Sequence, residues 1–234
     1  MGPPMREIVL DTETTGLDPT TGDRLVEIGC VALENSIPDG DTFHVYLNPE
    51  RDMPNEAFQI HGLSYEFLSD KPKFHEVAES FLNFISDSNL IIHNAEFDIR
   101  FLNHELAQAG KPIIEKHRVV DTLALARKKH PGSPNSLDAL CSRYRIDNSR
   151  RTKHGALLDS ELLAEVYLEL IGGRQTVFTL KQEQPREVEL APVAILAERP
   201  DELPQRLNAD SIAKHRKLQD GIGGRLVWNK YMGE

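Results

Sequence analysis

Cysteine is nearly absent: Cys30 and Cys141 are the only two in 234 residues. That excludes a disulfide scaffold and fits reduced core thiols in a cytoplasmic protein. Long apolar runs are missing too. No stretch of 18 apolar residues occurs, so nothing is expected to span a membrane. The opening Met-Gly-Pro-Pro-Met-Arg lacks the apolar centre of a secretion signal. Met5 offers a second start, with residues 1–4 then an extension. Positive charge is also short, with a net of −10. That argues against a protein that grips long duplex DNA by neutralising phosphates. It leaves room for a protein that holds a short anionic ligand through metal ions. The deficit is uneven: residues 181–234 carry nine Lys/Arg and nine Asp/Glu, so the whole −10 sits on residues 1–180. An acidic body acting on an acidic polymer needs cations, or a partner that delivers the substrate.

What is present suffices for one domain of ordinary size plus an appendage, with 39% apolar residues to build its core. Ile8, Val9 and Leu10 open a strand over 6–13 that ends in Asp-Thr-Glu, and Thr-Thr-Gly-Leu-Asp-Pro reads as a turn. Strands are expected over 25–33 and 42–47, with 35–41 as the hairpin turn between them. Phe74, Val77, Ala78, Phe81, Leu82 and Ile85 repeat at helical spacing, which predicts a helix over 74–86. A short strand at 90–92, a helix over 96–109 ending at Gly110-Lys-Pro112, and a strand at 119–120 follow. Helices over 121–129, 136–144 and 155–171 complete the body. This order predicts an α/β fold, a mixed sheet with a meander on one side and helical crossovers on the other. Residues 181–206, with Pro185, Pro192, Pro200 and Pro204, read as a linker. Residues 207–231 regain apolar character.

The carboxylates carry the chemistry. Asp11 and Glu13 are two apart on a strand, so both face one side while Thr12 faces the other. Paired acids at the end of a buried strand are costly unless something neutralises them, and a divalent cation would. The plain alternative is that they start a solvated loop. Asp98 shares a helix face with Phe101, Leu102 and Glu105, and Asp159 shares one with Leu162, Leu163 and Val166: two acids on buried stripes. For Asp98 the plain alternative is a first-turn acid favoured by the helix dipole. His154 is five residues before Asp159, a turn of about 140° on a helix, so the two cannot share a helix face. His154 is therefore expected on the loop, with Gly155 as the joint, where a histidine suits the role of general base. Together the acids could place two metal ions ~3.5–4 Å apart around a phosphodiester.

Asp11-Thr-Glu13-Thr-Thr-Gly, His93-Asn-Ala-Glu-Phe-Asp98 and His154-Gly-Ala-Leu-Leu-Asp159 resemble the three exonuclease motifs of the DEDD superfamily, histidine subtype. Within it, the chain resembles the family of epsilon proofreading subunits of bacterial DNA polymerase III, from about Arg6 to Gly173. The resemblance implies a ribonuclease-H-like fold and two Mg²⁺ or Mn²⁺ ions. It implies that Asp11, Glu13, Asp98 and Asp159 are metal ligands and His154 the general base. Thr15, Gly16, His61 and Asn94 match substrate contacts. Asp121 matches an aspartate near the site, or is simply an N-cap. Phe97 is either a stacking platform or core packing. The activity implied is 3′–5′ removal of mispaired 3′-terminal nucleotides, with selection aided by the lower cost of unpairing a mismatched end.

The same resemblance divides the chain into an exonuclease domain (5–173), a clamp-binding peptide and linker (174–206) and a polymerase-binding segment (207–234). Gln175, Val177, Phe178 and Leu180 resemble a peptide that docks on the sliding clamp (beta); alternatively they pack back on the body. Residues 210–220 read as a capped helix. Leu226, Trp228 and Tyr231 fit an aromatic anchor for the polymerase catalytic (alpha) subunit. A small accessory subunit is a further partner to consider. Two other readings stand beside this one. An RNA-trimming exoribonuclease of the same superfamily would carry much the same site. A non-catalytic replisome adaptor would have no reason to keep the carboxylates.

Overall fold

The computed structural model describes residues 6–151, 153–172 and 208–222. The chain divides into two units, Met1–Phe178 and Thr179–Glu234, and each is described by itself.

In the first unit, β1 (Arg6–Thr14), β2 (Leu25–Glu34) and β3 (Ile37–Tyr46) form an antiparallel meander. The chain continues through α1 (Asn55–His61), α2 (Tyr65–Leu68) and α3 (Phe74–Ile85) to β4 (Asn89–Ile92). Then come α4 (Ala95–Gln108), β5 (Val119–Asp121), α5 (Thr122–Lys129), α6 (Leu137–Tyr144) and α7 (Ala156–Leu170). The sheet order is β3-β2-β1-β4-β5, with β4 parallel to β1 and β5 parallel to β4. This is the expected mixed sheet, and its two faces have separate cores. Ile8, Leu10, Ile28, Cys30, Leu90 and Ile92 pack against α3 and α4. Val9, Val31, Leu33 and Ile91 pack against α5, α6 and α7. Alternation along β1 thus assigns every second residue to one core. Cys30 and Cys141 are buried free thiols.

Two expectations are corrected. The second hairpin turn is not 35–41 but the pair Asn35 and Ser36, at φ 53° and 66°. Positive φ at both central residues is the tight turn whose twist matches its strands. β3 therefore begins at Ile37, and Pro38 sits on an edge strand that tolerates it. Residues 48–73, for which no element was expected, contain α1 and α2. Buried residues on α1 are only Ala57 and His61, too few to write a helical stripe.

Gly29 sets the distance between sheet and helix. It pairs with Asp11 across the β1–β2 ladder. A Cβ there would come within 2.2 Å of the backbone of Ala156 and Leu157. Its carbonyl accepts a hydrogen bond from Ser160 Oγ at 2.9 Å. The first turn of α7 thus lies directly on β2, and that contact carries Asp159 to the end of β1.

In the second unit, α8 (Ala209–Ile222) starts one residue earlier than expected. Asn208 Oδ1 accepts from Ser211 N–H at 2.8 Å, and Lys214 pairs with Asp210 one turn away. Gln175, Val177, Phe178, Leu180, Leu226, Trp228 and Tyr231 lie outside the described residues. Among the described residues, no helix is long and apolar enough to cross a membrane.

Candidate active site

The site forms where β1 ends. Asp11 and Glu13 face α7, and Glu7 on the same strand face accepts from Tyr167 Oη at 2.9 Å, so α7 runs antiparallel along that face. Asp159, in the first turn of α7, reaches the same end. Asp98 arrives from the other core, on the first turn of α4. Thr12, pointing away from Asp11 and Glu13, donates to Asp98 Oδ1 at 2.7 Å. Glu13, Asp98 and Asp159 are buried, Asp11 is half-buried, and all four line one cleft of about 920 Å³.

Burial of so many acids has an electrostatic signature. Desolvation, then the charges of Asp98, Glu13 and Asp159, hold Asp11 well above the usual carboxylate range. Desolvation, then Glu27, pushes Glu13 up to about 8. Desolvation pushes Asp98 up to about 7 even though Thr12 donates to its charged form. Asp159 goes the other way. Burial opposes its charge, but hydrogen bonds from His154 and Arg151 outweigh that and lower its carboxyl below the ordinary value.

His154 lies on the loop before α7, with Gly155 as the extended residue ahead of the helix. The loop folds it back so that Nδ1 is 3.4 Å from Asp159 Oδ2, a meeting that one helix could not provide. Its backbone N–H donates to Ile60 O at 3.2 Å, and Lys153 Nζ donates to Gln59 O at 2.9 Å. Helix α1 therefore holds the histidine loop in place.

Helix α1 also forms a side pocket with Thr15, Gly16, Leu17 and His61, which meets the cleft at Thr12, Glu13 and Phe97. Gly16 is required there: a Cβ would fall 2.2 Å from Asp23 Oδ2. Asp23 in turn accepts from Asp18 N–H and Arg51, fixing the turn. His61 Nδ1 accepts from Leu63 N–H at 3.0 Å, which assigns the proton to Nε2. That buried Nε2 is without a partner among the described residues. Asn94 lines the cleft in a left-handed conformation, φ 65°. Asp121 is the N-cap of α5, accepting from Leu123 N–H at 2.9 Å, and it also accepts from Asn94 N–H at 3.1 Å. It supports the cleft from behind. Phe97 packs on the core, as one of its two expected readings has it, and also lines both depressions.

Three participants were not expected. Arg151 donates to both oxygens of Asp159, at 2.5 and 2.8 Å, and to both oxygens of Asp138, at 2.8 Å, and its guanidinium lies 2.7 Å from His154 Nδ1. Asp138, on α6, is its second anchor. Glu27 pairs opposite Glu13 across the ladder and is buried, with His44 Nε2 at 2.7 Å. Glu27 and Asp138 join the site only through pairings between separate elements; Arg151, three residues before His154 in a basic run, carried a local signal.

The donor set fits a hard divalent cation. Glu13, His154 and Asp159 each bring a ligand atom into a group spanning at most 4.8 Å. Asp11 and Asp98 add oxygens from the same cleft, and carboxylate oxygens are what such ions select.

A family model described as exonuclease matches residues 8–167. The DNA polymerase III subunit epsilon of Rickettsia felis is 59% identical over 179 residues, 75% of this chain and 78% of that protein. Its counterpart in Escherichia coli K12 is 43% identical over 235 residues, 95% of this chain and 97% of that one. Among solved structures, the nuclease domain of 3′hExo, a DEDDh family member, superposes with a TM-score of 0.62 at 18% identity, covering 73% of this chain and 93% of its own. Exonuclease X gives 0.56 at 24% identity, over 71% and 91%. These two likenesses concern the fold.

Proposed function

We propose a two-ion proofreading site on one premise: the chain belongs to the exonuclease family of DNA polymerase III epsilon subunits. It is a 3′–5′ exonuclease with the proofreading role, it depends on divalent metal, and it associates with a DNA polymerase III complex and DNA. The observation that carries the assignment of residues is the convergence of Asp11, Glu13, Asp98, Asp159 and His154 on one cleft.

Asp11, Glu13, Asp98 and Asp159 would hold two Mg²⁺ or Mn²⁺ ions. Such ions supply Lewis-acid charge to the attacking and leaving oxygens of a phosphodiester. Thr15, Gly16 and His61 receive the terminal nucleoside in the side pocket, with Asn94 on the cleft side. His61 offers its unpartnered Nε2–H as a donor. His154, held by α1, takes a proton from the attacking water. The water oxygen bonds to phosphorus, the P–O3′ bond breaks, the departing O3′ takes up a proton from solvent, and a 5′-mononucleotide leaves behind a shortened 3′-hydroxyl end. A mismatched end unpairs more cheaply, which favours its entry.

The nuclease body is taken to be 5–173. Beyond it, Gln175, Val177, Phe178 and Leu180 are proposed to bind the sliding clamp, and Leu226, Trp228 and Tyr231 in the 207–234 segment the catalytic alpha subunit. A small accessory subunit is a third candidate partner, and the cytoplasm the compartment. Support for these comes from the epsilon-subunit relatives and from the motifs themselves. Titration calorimetry with Mn²⁺ tests the ion count: two ions per chain are expected, and fewer after Asp159→Ala. One ion in the wild type would replace the two-ion account. Deleting 181–234 should keep exonuclease activity and lose binding to the alpha subunit.

A further inference from the structure

The geometry points to Arg127 as the residue that holds the phosphate 5′ to the scissile one, so that the site engages a strand and not merely a terminal nucleotide. This rests on the exonuclease reading above. The side pocket and the cleft meet at Thr12, Glu13 and Phe97. With the terminal nucleoside in the side pocket and the scissile phosphate at the carboxylates, the rest of the strand leaves through the other arm of the cleft. That arm passes His93 and Asn94 and runs along α5 to residues 132–136. Leu123 and Arg127, four apart on α5 and so on one helix face, both line it.

The charge of Arg127 is uncommitted. The other arginine of the cleft, Arg151, is engaged by Asp138 and Asp159. Nearby, Lys129 donates to Glu169 O and Leu170 O, and Arg143 to Asn135 Oδ1 and Pro134 O. Arg127 is exposed and makes no hydrogen bond or ion pair among the described residues. Its helix is nevertheless fixed. Ala126 and Thr122 are fully buried, and Thr122 Oγ1 donates to Ile92 O on β4 at 3.2 Å. The facing wall is preformed as well, with Asn135 Nδ2 donating to Ser133 O at 2.9 Å and its Oδ1 held by Arg143. Ions at the carboxylates serve the scissile phosphate. Of the two arginines among the described residues lining the cleft, Arg127 is the one not engaged by a carboxylate, and its planar fork matches the oxygens of the next phosphate.

The test compares the full chain with its Arg127→Ala and Arg127→Lys variants, in Mn²⁺, on three substrates. The first is a single-stranded DNA oligonucleotide. The second is the same strand with an uncharged methylphosphonate at the linkage 5′ to the scissile one. The third is the 4-nitrophenyl ester of thymidine 5′-monophosphate, which has no second phosphate. Arg127→Ala should raise KM on DNA about tenfold. It should also flatten the dependence of log(kcat/KM) on log[salt] by about 0.7, the loss of one phosphate contact on a single strand. Arg127→Lys should recover part of both. On the methylphosphonate strand and on the ester, wild type and Arg127→Ala should coincide. Equal losses on all three substrates, or a DNA KM and salt slope unchanged by the substitution, would overturn the assignment. Wild-type protein that hydrolyses none of them with metal would instead overturn the exonuclease reading beneath it.

Discussion

Thr12 Oγ1 donates to Asp98 Oδ1 at 2.7 Å, tying the strand that carries two of the acids to the helix that carries a third. Asp11 and Glu13 look toward one core and Thr12 toward the other, so a single tripeptide joins both halves of the site. Thr12→Val keeps the shape and removes the donor, leaving a buried carboxylate oxygen unsatisfied at a cost of roughly 1–3 kcal/mol. The metal concentration for half-maximal activity should rise about tenfold. Thr12→Ser should stay near wild type. Identical metal-activation curves for Val and Thr would show the bond to be idle.

Metal-free stability should fall as pH rises. Burial, joined by neighbouring carboxylates, keeps Asp11, Glu13 (about 8) and Asp98 (about 7) protonated to higher pH than in the unfolded chain. The folded state then binds more protons than the unfolded one between about pH 4 and 8, and stability declines across that window. Asp159, lowered, acts in the opposite sense, and its contribution is lost only in stronger acid. Divalent ions bind the charged forms, so the Tm gain from Mg²⁺ or Mn²⁺ should grow from pH 5 to 8. Melting curves in chelator and in metal check both slopes. A metal-free contribution from these groups that increases with pH would contradict the raised carboxyls.

Gly29→Ala should damage the site without touching an acid. The added methyl meets the backbone of α7 at 2.2 Å, and overpacking of this kind costs typically 1–3 kcal/mol. Displacing α7 moves Asp159 away from Asp11, so activity should fall by more than Tm suggests. A variant with lowered Tm but full kcat would show that α7 can shift without consequence.

His61→Ala should act on the terminal nucleotide. With Nδ1 occupied by Leu63 N–H, only the buried Nε2–H is left for substrate. KM for DNA and for a mononucleotide ester should rise together, because the terminal nucleoside is common to both. A KM increase on DNA alone would place His61 elsewhere along the strand.

Much of this site was legible in the sequence. Period-two alternation put Asp11 and Glu13 on one face, and the apolar neighbours of Asp98 and Asp159 foretold their burial. The angular separation of His154 from Asp159 placed the histidine on a loop, where it lies. What could not be read depends on register and on distant contacts. Glu27 faces Glu13 only because Asp11 pairs with Gly29. Arg151 finds Asp138 thirteen positions back, on another helix. Helix α1 hid because it buries only two residues, Ala57 and His61. The hairpin turn was overdrawn because Pro, Asp and Gly at 38–40 look like loop, whereas an edge strand accepts them.

In the proposed mechanism these acids and metal together cut DNA from its 3′ end. A primer–template with a mispaired 3′ terminus, incubated with Mg²⁺ or Mn²⁺, tests it most directly, with chelator and the Asp11→Ala protein as controls and a matched RNA beside it. Release of 5′-mononucleotides from the DNA end is expected, abolished by chelator and by Asp11→Ala in a protein that still melts cooperatively. Wild-type rates from folded Asp11→Ala protein, or no release from either polymer by metal-loaded wild type, would contradict it.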